Sequence, residues 1–517
     1  MEKFLYQRIE KKDPKLNVWF AYGAPESFAM ASLGYLAIFK DLDLNPDLFV
    51  ERIYQDTKIT TVPYKAVDCM GFSMSFELDI LTIIKMLEKY GFPLLANERG
   101  EDDPYIFVGG PVTMSNPKPY EDFFDFIAIG EKIVLDDVFK ILKEKNKLSR
   151  DEVLKKLSEI EGIYVPKYKK EVAIKRDDLS DDIIYTTILS DNSFFKDTFI
   201  IELERGCPKM CNFCLASWLN IPTRFVKYEK IIEAIDFGLA HTNKIALLGA
   251  YVAGHPDFKK IIEYISKKCE TQDIELSISS LRADLADIDL IKTLVKCKQK
   301  TATIALEAGS QRLRDLIGKD LSENQVIDTV LCAKKGGLKG LKIYAMLGLP
   351  TENDEDIEEL INLIQKMKNE LKKISGSFDL TLSASTFIPK AHTPFETVER
   401  TDKKILEKRI NYLKKTFHKM GVNFRASSVE WDIIQGILSR YDKSLAEFLI
   451  EVVEKGANLG AFKQLWREKA KKGLLPSFDD VAKIPFSNNI TALDWSFIKT
   501  GADDLKRARQ QKLTPYL

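Results

Sequence analysis

The stretch Glu204-Arg205-Gly206-Cys207-Pro208-Lys209-Met210-Cys211-Asn212-Phe213-Cys214 holds three of the seven cysteines in the chain, spaced Cys-x-x-x-Cys-x-x-Cys. Scattered at random over 517 positions, seven cysteines form this spacing with a chance of about 7 × (7/517)², on the order of one in a thousand. A loop of this length wraps three thiolates around one face of a cubane iron–sulfur cluster and leaves one iron without a protein ligand. Zinc is the competing reading. A closed structural zinc site needs four ligands, and no further Cys or His lies within 25 residues of the triad, so zinc would need a distant ligand such as Cys269 or His241.

Outward from the triad, the apolar run Thr198–Glu204 immediately before it reads as a buried strand. It opens a series with Lys244–Ala250, Glu275–Ser280, Thr301–Leu306, Leu341–Leu347 and Asp379–Phe387, each followed by a stretch with helical spacing of apolar residues. Six such units predict a partial (βα)6 barrel over 198–400, with chemistry at the strand C-termini. Upstream, apolar runs at Leu16–Tyr22, Ala66–Phe76, Tyr105–Val108 and Phe126–Ile129 alternate with helical stretches at Ser27–Lys40, Leu78–Tyr90 and Ile133–Lys143. That alternation predicts a doubly wound, Rossmann-like α/β domain over 1–146, whose ligands would sit at the strand ends carrying Gly23, Gly71 and Gly109-Gly110. Those glycines shape turns equally well. Residues 147–197 read as a charged connector, and 401–517 as a mainly helical C-terminal region with a short strand at Val422–Ala426.

Lys+Arg and Asp+Glu both number 77, so no global field draws the chain to nucleic acid or anionic lipid. The opening residues are charged and no apolar run approaches a membrane span, which predicts a cytoplasmic protein without membrane contact. In that compartment the cysteines stay reduced. Cys69, Cys269, Cys297 and Cys332 then read as small buried hydrophobes. Basic stretches at Lys403–Lys419, Arg467–Lys472 and Lys506–Lys512 read as solvated faces, with an RNA site as the alternative.

The triad with its aromatic Phe213 resembles the signature of the radical S-adenosylmethionine superfamily. The segments SLGYLAIF (32–39), GFSMSFE (71–77), VGGPVTMSNPKP (108–119), SLRAD (280–284), EAGSQRLRD (307–315), KIYAMLGLPTENDED (342–356), STFIPKAHTPF (385–395) and NNITALDWSFIKTGADDLKRA (488–508) are similar to a subgroup with an N-terminal cobalamin-binding-like domain. The resemblance implies a 4Fe-4S cluster on Cys207, Cys211 and Cys214. It also implies S-adenosylmethionine on the open iron and a one-electron donor such as flavodoxin or ferredoxin. Reductive cleavage of the sulfonium then gives a 5'-deoxyadenosyl radical that acts on RNA, protein or a small molecule.

Several residues fall where that cofactor would lie. Ser280 and Arg282 offer a hydroxyl and a guanidinium for a carboxylate, or form a surface salt bridge. Glu307 ends the fourth strand, where it binds ribose or an amino group, or caps a helix; Gly309 and Ser310 follow it. In look-alike enzymes the loop with Gly348 and Pro350 packs against adenine. His392 is a substrate contact, an acid–base group or a satisfied loop histidine.

The first domain contains no histidine, which excludes histidine-ligated cobalamin from it and leaves cobalamin without a lower protein ligand open. If cobalamin binds, methyl transfer is the expected reaction. Methylthiotransferases hold a second cluster on three N-terminal cysteines, whereas this domain has Cys69 alone, and no cysteine follows Cys332 for an auxiliary cluster. The alternative to an enzyme is a non-catalytic iron–sulfur protein that binds RNA or a partner.

Overall fold

The computed structural model describes residues 2–168, 170–180, 182–478, 480 and 495–517. Residues 488–494 of the tail segment therefore lie outside the described residues.

In the first domain β1 (Leu16–Tyr22) is LNVWFAY, an apolar run in which Val18, Trp19, Phe20 and Ala21 are all buried, as a strand covered on both faces requires. It pairs in parallel with β2 (Leu48–Tyr54) and β3 (Cys69–Ser73); β4 (Tyr105–Gly109) and β5 (Phe126–Ala128) continue the parallel sheet, and β6 (Ile163–Tyr164) closes it antiparallel. The order is β2-β1-β3-β4-β5-β6. The chain reverses direction across the sheet between β1 and β3, which opens a crevice at their C-terminal ends. Helices α1 (Leu33–Asp43), α2 (Asp79–Tyr90) and α3 (Val134–Leu142) cover the faces. The α2 stripe Ile80, Ile83, Ile84 and Leu87 is buried, and Gly91 stops the helix with a left-handed φ of 73°. The predicted helix over Ser27–Lys40 is two helices, Glu26–Ala29 and α1. Strand β2, LFVERIY, is missing from the sequence reading because Glu51 and Arg52 interrupt its apolar run. Both charges are satisfied at this sheet edge: Arg52 pairs with Glu2 at 2.5 Å, and Glu51 accepts from the backbone N–H of Thr61 and Val62.

In the second domain the six predicted strands form within a few residues of their expected ends. One sheet is β7 (Phe199–Glu202), β8 (Lys244–Leu248) and β9 (Glu275–Ile278); the other is β10 (Thr301–Glu307), β11 (Gly340–Leu347), β12 (Asp379–Thr386) and β13 (Asn423–Ala426). All these pairings are parallel, and a bridge between Leu281 and Ile304 joins the two sheets into one open barrel wall. The short α4 (Leu215–Leu219) follows the loop at the end of β7, and along the wall lie α5 (Tyr228–Leu239), α6 (Phe258–Lys268), α7 (Ile288–Lys296), α8 (Glu323–Lys335), α9 (Asp354–Lys372) and α10 (Lys403–Lys419). The first domain packs on this wall. Leu33 and Ala37 of α1 bury Ile200 of β7, and Arg205 and Arg224 both pair with Glu131 at 2.6 Å.

The reading of Cys269 and Cys297 as reduced core residues is corrected. Each caps the C-terminus of one of two neighbouring helices, α6 and α7, and their Cα atoms are 6.4 Å apart, so the two thiols meet as a disulfide.

Candidate active site

The cysteine loop runs from the end of β7 over the barrel mouth. Gly206 turns it with a φ of 94°; a β-carbon there would lie 2.3 Å from the Asn220 carbonyl oxygen. Cys214 is the N-cap of α4, and Trp218 Nε1 donates to the Cys211 carbonyl at 3.0 Å, so the helix after the triad holds the loop in place. Asn212 fastens the other side: its N–H donates to Ile317 O at 2.8 Å and its Nδ2 to Leu316 O at 2.7 Å. Phe213 packs on a small apolar cluster with Ala308, Leu349, Phe387 and Leu513, the last from α11 (Asp503–Leu513). The loops after β10, β11 and β12 and the C-terminal helix thus share one apolar contact with the cysteine loop.

Cys211 is buried and Cys207 and Cys214 are partly so. Burial pushes the Cys207 thiol up and the Cys211 thiol up to about 11, while Lys319 and Arg282 pull the latter down. Ionising the triad therefore calls for further positive charge, which cluster iron supplies. Among the described residues no three of His, Cys, Asp and Glu converge on one point as a single ion requires. A cubane instead takes each thiolate on a separate iron. The donor set of three partly buried thiols beside two cations fits a cluster.

The other sequence-derived residues divide into two groups. Ser280 is exposed and Arg282 lies beside the thiols; its guanidinium pairs with Asp284 and donates through one nitrogen to the carbonyls of Lys319 and Asp320, both at 2.6 Å. Glu307, with a left-handed φ of 68°, ends β10 and pairs with the buried Lys319 at 3.0 Å. These three gather at the mouth. By contrast Ser310 is fully buried: it caps its helix and donates to Asp356 at 2.7 Å. Gly309 is glycine because α9 presses on it, a β-carbon falling 2.2 Å from Leu360 Cα. Gly348, at φ 79°, lies under Leu406 of α10, and Pro350 is buried. His392 is 2 % exposed and its ring meets the Ser115 backbone without a well-aligned hydrogen bond; burial together with Lys506 outweighs that contact and pushes its pKa down to about 3, so the imidazole is neutral.

Sequence reasoning missed Lys319, Asn212 and Glu204. Lys319 lies in a turn with no strand to mark it. Glu204 sits inside the quoted stretch but is 1 % exposed; its Oε1 accepts from Tyr251 N–H at 2.6 Å, its Oε2 has no partner among the described residues, and burial lifts the carboxyl to about 8.

Two family models match the chain: "Radical SAM proteins, N-terminal" over residues 37–166 and "Radical SAM superfamily" over residues 201–364, the second spanning the triad. An uncharacterized protein of Methanocaldococcus jannaschii is 35% identical over 393 residues, covering 74% of this chain and 80% of the relative. The chain belongs to the radical SAM superfamily. It is accordingly a radical SAM enzyme, and its cofactors are a 4Fe-4S cluster and S-adenosylmethionine. Its fold is shared with the cobalamin-dependent S-adenosylmethionine radical enzyme OxsB bound to aqua-cobalamin and S-adenosylmethionine. That match has a TM-score of 0.50 and 15% identity, and covers 88% of this chain and 71% of OxsB. The radical S-adenosylmethionine methyltransferase TsrM from Kitasatospora setae, with cobalamin and a [4Fe-4S] cluster, gives a TM-score of 0.50 at 10% identity, covering 71% of this chain and 74% of TsrM. The N-terminal domain is therefore cobalamin-binding-like in fold. No helix among the described residues is long and apolar enough to cross a membrane.

Proposed function

We propose that this enzyme cleaves S-adenosylmethionine reductively at a single cluster on Cys207, Cys211 and Cys214, with an electron from a flavodoxin- or ferredoxin-like donor, and that cobalamin in the first domain makes the reaction a methyl transfer. One observation carries the reading: the cysteine loop, with Lys319 and Arg282 beside its buried Cys211, follows β7 directly, and Glu202 and Arg205 at that strand end also line the crevice of the first sheet. The cluster, when bound, supplies one electron to the sulfonium and so yields methionine and a 5'-deoxyadenosyl radical. The chain's own residues then bind and orient. Lys319 and Arg282 favour the thiolate form of Cys211, and the Arg282 nitrogen left free by its backbone bonds, with Ser280, receives the methionine carboxylate. Lys319 neutralises Glu307, which keeps acceptor capacity for ribose hydroxyls. Gly348, Pro350 and Phe213 wall the adenine and exclude water.

The cobalamin site is the crevice at the ends of β1 and β3. A cavity of about 330 Å3 opens there, room for an edge of the corrin rather than the whole group, floored by Phe20, Phe72 and Phe107 and reaching Glu202 and Arg205 of the barrel, between which and the first sheet the rest would lie. Asp177, 5 % exposed, lines it with an unpartnered Oδ2, a ready acceptor for the amide N–H groups that rim a corrin. No histidine lines the cavity, so the chain offers cobalt no imidazole there. Cobalamin, when bound, carries a methyl group to a carbon or phosphorus centre. Anaerobic incubation with hydroxocobalamin followed by desalting tests the site. A stoichiometric retained chromophore, weakened by Asp177→Ala, supports it; a protein that retains none overturns it.

A further inference from the structure

The barrel wall has a second face. In a closed eight-stranded barrel the residues facing inward are branched apolar side chains packed in layers. Alternate residues on β11 and β12 are buried against the outer helices here: Leu341, Ile343, Leu380 and Leu382. On β13, Phe424 packs on Phe417 of α10. The residues between them face the lumen and are polar except Met346, which joins the apolar cluster at the mouth. The register places them in two rows. Lys342 pairs with Thr381, which pairs with Asn423, while Tyr344 pairs with Ser383, which pairs with Arg425.

On the β11–β13 part of this face the unpaired charge is positive, and the carboxylate of the adjoining strand, Glu307, is already paired with Lys319. Arg425 is exposed and has no hydrogen-bond or ion-pair partner among the described residues. Lys342 Nζ reaches the Tyr344 hydroxyl at 3.3 Å and lies 4.7 Å from its ring centre, with no carboxylate partner among the described residues. The acidic residue on the same face, Asp379, lies at the N-terminal end of β12, away from the mouth. Tyr344 is 38 % exposed.

We infer that the substrate lodged in this lumen is a nucleotide, its base stacked on Tyr344 and its phosphate held by Lys342 and Arg425. Two unneutralised cations ask for an anion. The face of the Tyr344 ring that Lys342 leaves uncovered offers a base a stacking surface, and the hydroxyls of Thr381 and Ser383 with the Asn423 amide offer hydrogen bonds to base edges or ribose. An acyl chain has no counterpart for these groups, and an acidic peptide supplies the anion without the ring. Tyr344 and Arg425 stand two strands apart, about 10 Å, a span that a nucleoside and its phosphate bridge once the arginine side chain is extended. The inference rests on the radical reading for its setting and tests separately from it.

The test is anaerobic fluorescence anisotropy of the full-length, cluster-reconstituted protein with S-adenosylmethionine and a short fluorescein-labelled single-stranded RNA of mixed sequence. Competitors are the four 5'-ribonucleotides, inorganic pyrophosphate and a polyglutamate peptide. The expected result is binding that falls as salt rises and weakens on the order of tenfold in Lys342→Gln and in Arg425→Gln, with Arg425→Lys restoring part of it. Tyr344→Leu should weaken the nucleotides while leaving competition by pyrophosphate unchanged. Displacement by free nucleotides assigns a free nucleotide, and binding of the RNA alone assigns an unpaired residue within RNA; both support the inference. Absence of binding, binding indifferent to all three substitutions, or displacement by polyglutamate as effective as by nucleotides overturns it. Iron content and S-adenosylmethionine cleavage, measured on the same samples, report the radical reading independently.

Discussion

Replacing Glu204 by glutamine removes a carboxyl that the fold holds nearly dry, with one bond from Tyr251 N–H and no cation beside it. Its pKa stands at about 8 against an ordinary 4.5, burial being the main cause and Glu202 a smaller one. Each pKa unit is worth about 1.4 kcal/mol, so ionising Glu204 inside the fold costs about 5 kcal/mol. The sign follows from linkage. The fold binds this proton more tightly than the unfolded chain does, so the contribution to stability is whole below pH 4.5 and is lost as pH rises to about 8. The amide of Glu204→Gln does not titrate and keeps the acceptor for Tyr251. Denaturant unfolding followed by tryptophan fluorescence, at intervals from pH 5 to 9, should find the variant within about 2 kcal/mol of the parent at pH 5. The variant should be clearly the more stable above pH 8. Curves that stay parallel across the range would refute the assignment of a protonated Glu204.

Alanine at any one of Cys207, Cys211 or Cys214 should abolish the brown cluster absorption after reconstitution and lower bound iron, whereas Cys332→Ala should leave both unchanged. Gly309→Ala puts a β-carbon 2.2 Å from Leu360 Cα and should cost about 1–3 kcal/mol or more, read as a lower denaturation midpoint. The disulfide closes a 28-residue separation, worth about 4 kcal/mol by loop entropy. Paired Cys269→Ala and Cys297→Ala, or added reductant, should lower the midpoint of the parent, and reductant should leave the double variant unmoved.

The strands and the cysteine loop were legible because each carries a local pattern: a period of apolar residues, or a fixed spacing of thiols. What escaped depends on partners distant in sequence. Strand β2 is charged at its centre and becomes a strand because Arg52 pairs with Glu2 and Glu51 accepts from the backbone N–H groups of Thr61 and Val62. Ser310 and Gly309 looked like ligand contacts, and their local chemistry is equally that of a helix cap and a close helix approach, which Asp356 and Leu360 supply from α9. Lys319 and Glu204 are marked by burial alone, a property of the folded chain. The Cys269–Cys297 bond joins two helix ends that a sequence leaves unrelated.

The central claim is reductive cleavage at one open-iron cluster. Anaerobically reconstituted protein, given S-adenosylmethionine and dithionite or reduced flavodoxin, should release 5'-deoxyadenosine and methionine, and Cys211→Ala should release neither. A fully loaded cluster with no 5'-deoxyadenosine formed, or equal release from Cys211→Ala, would contradict it.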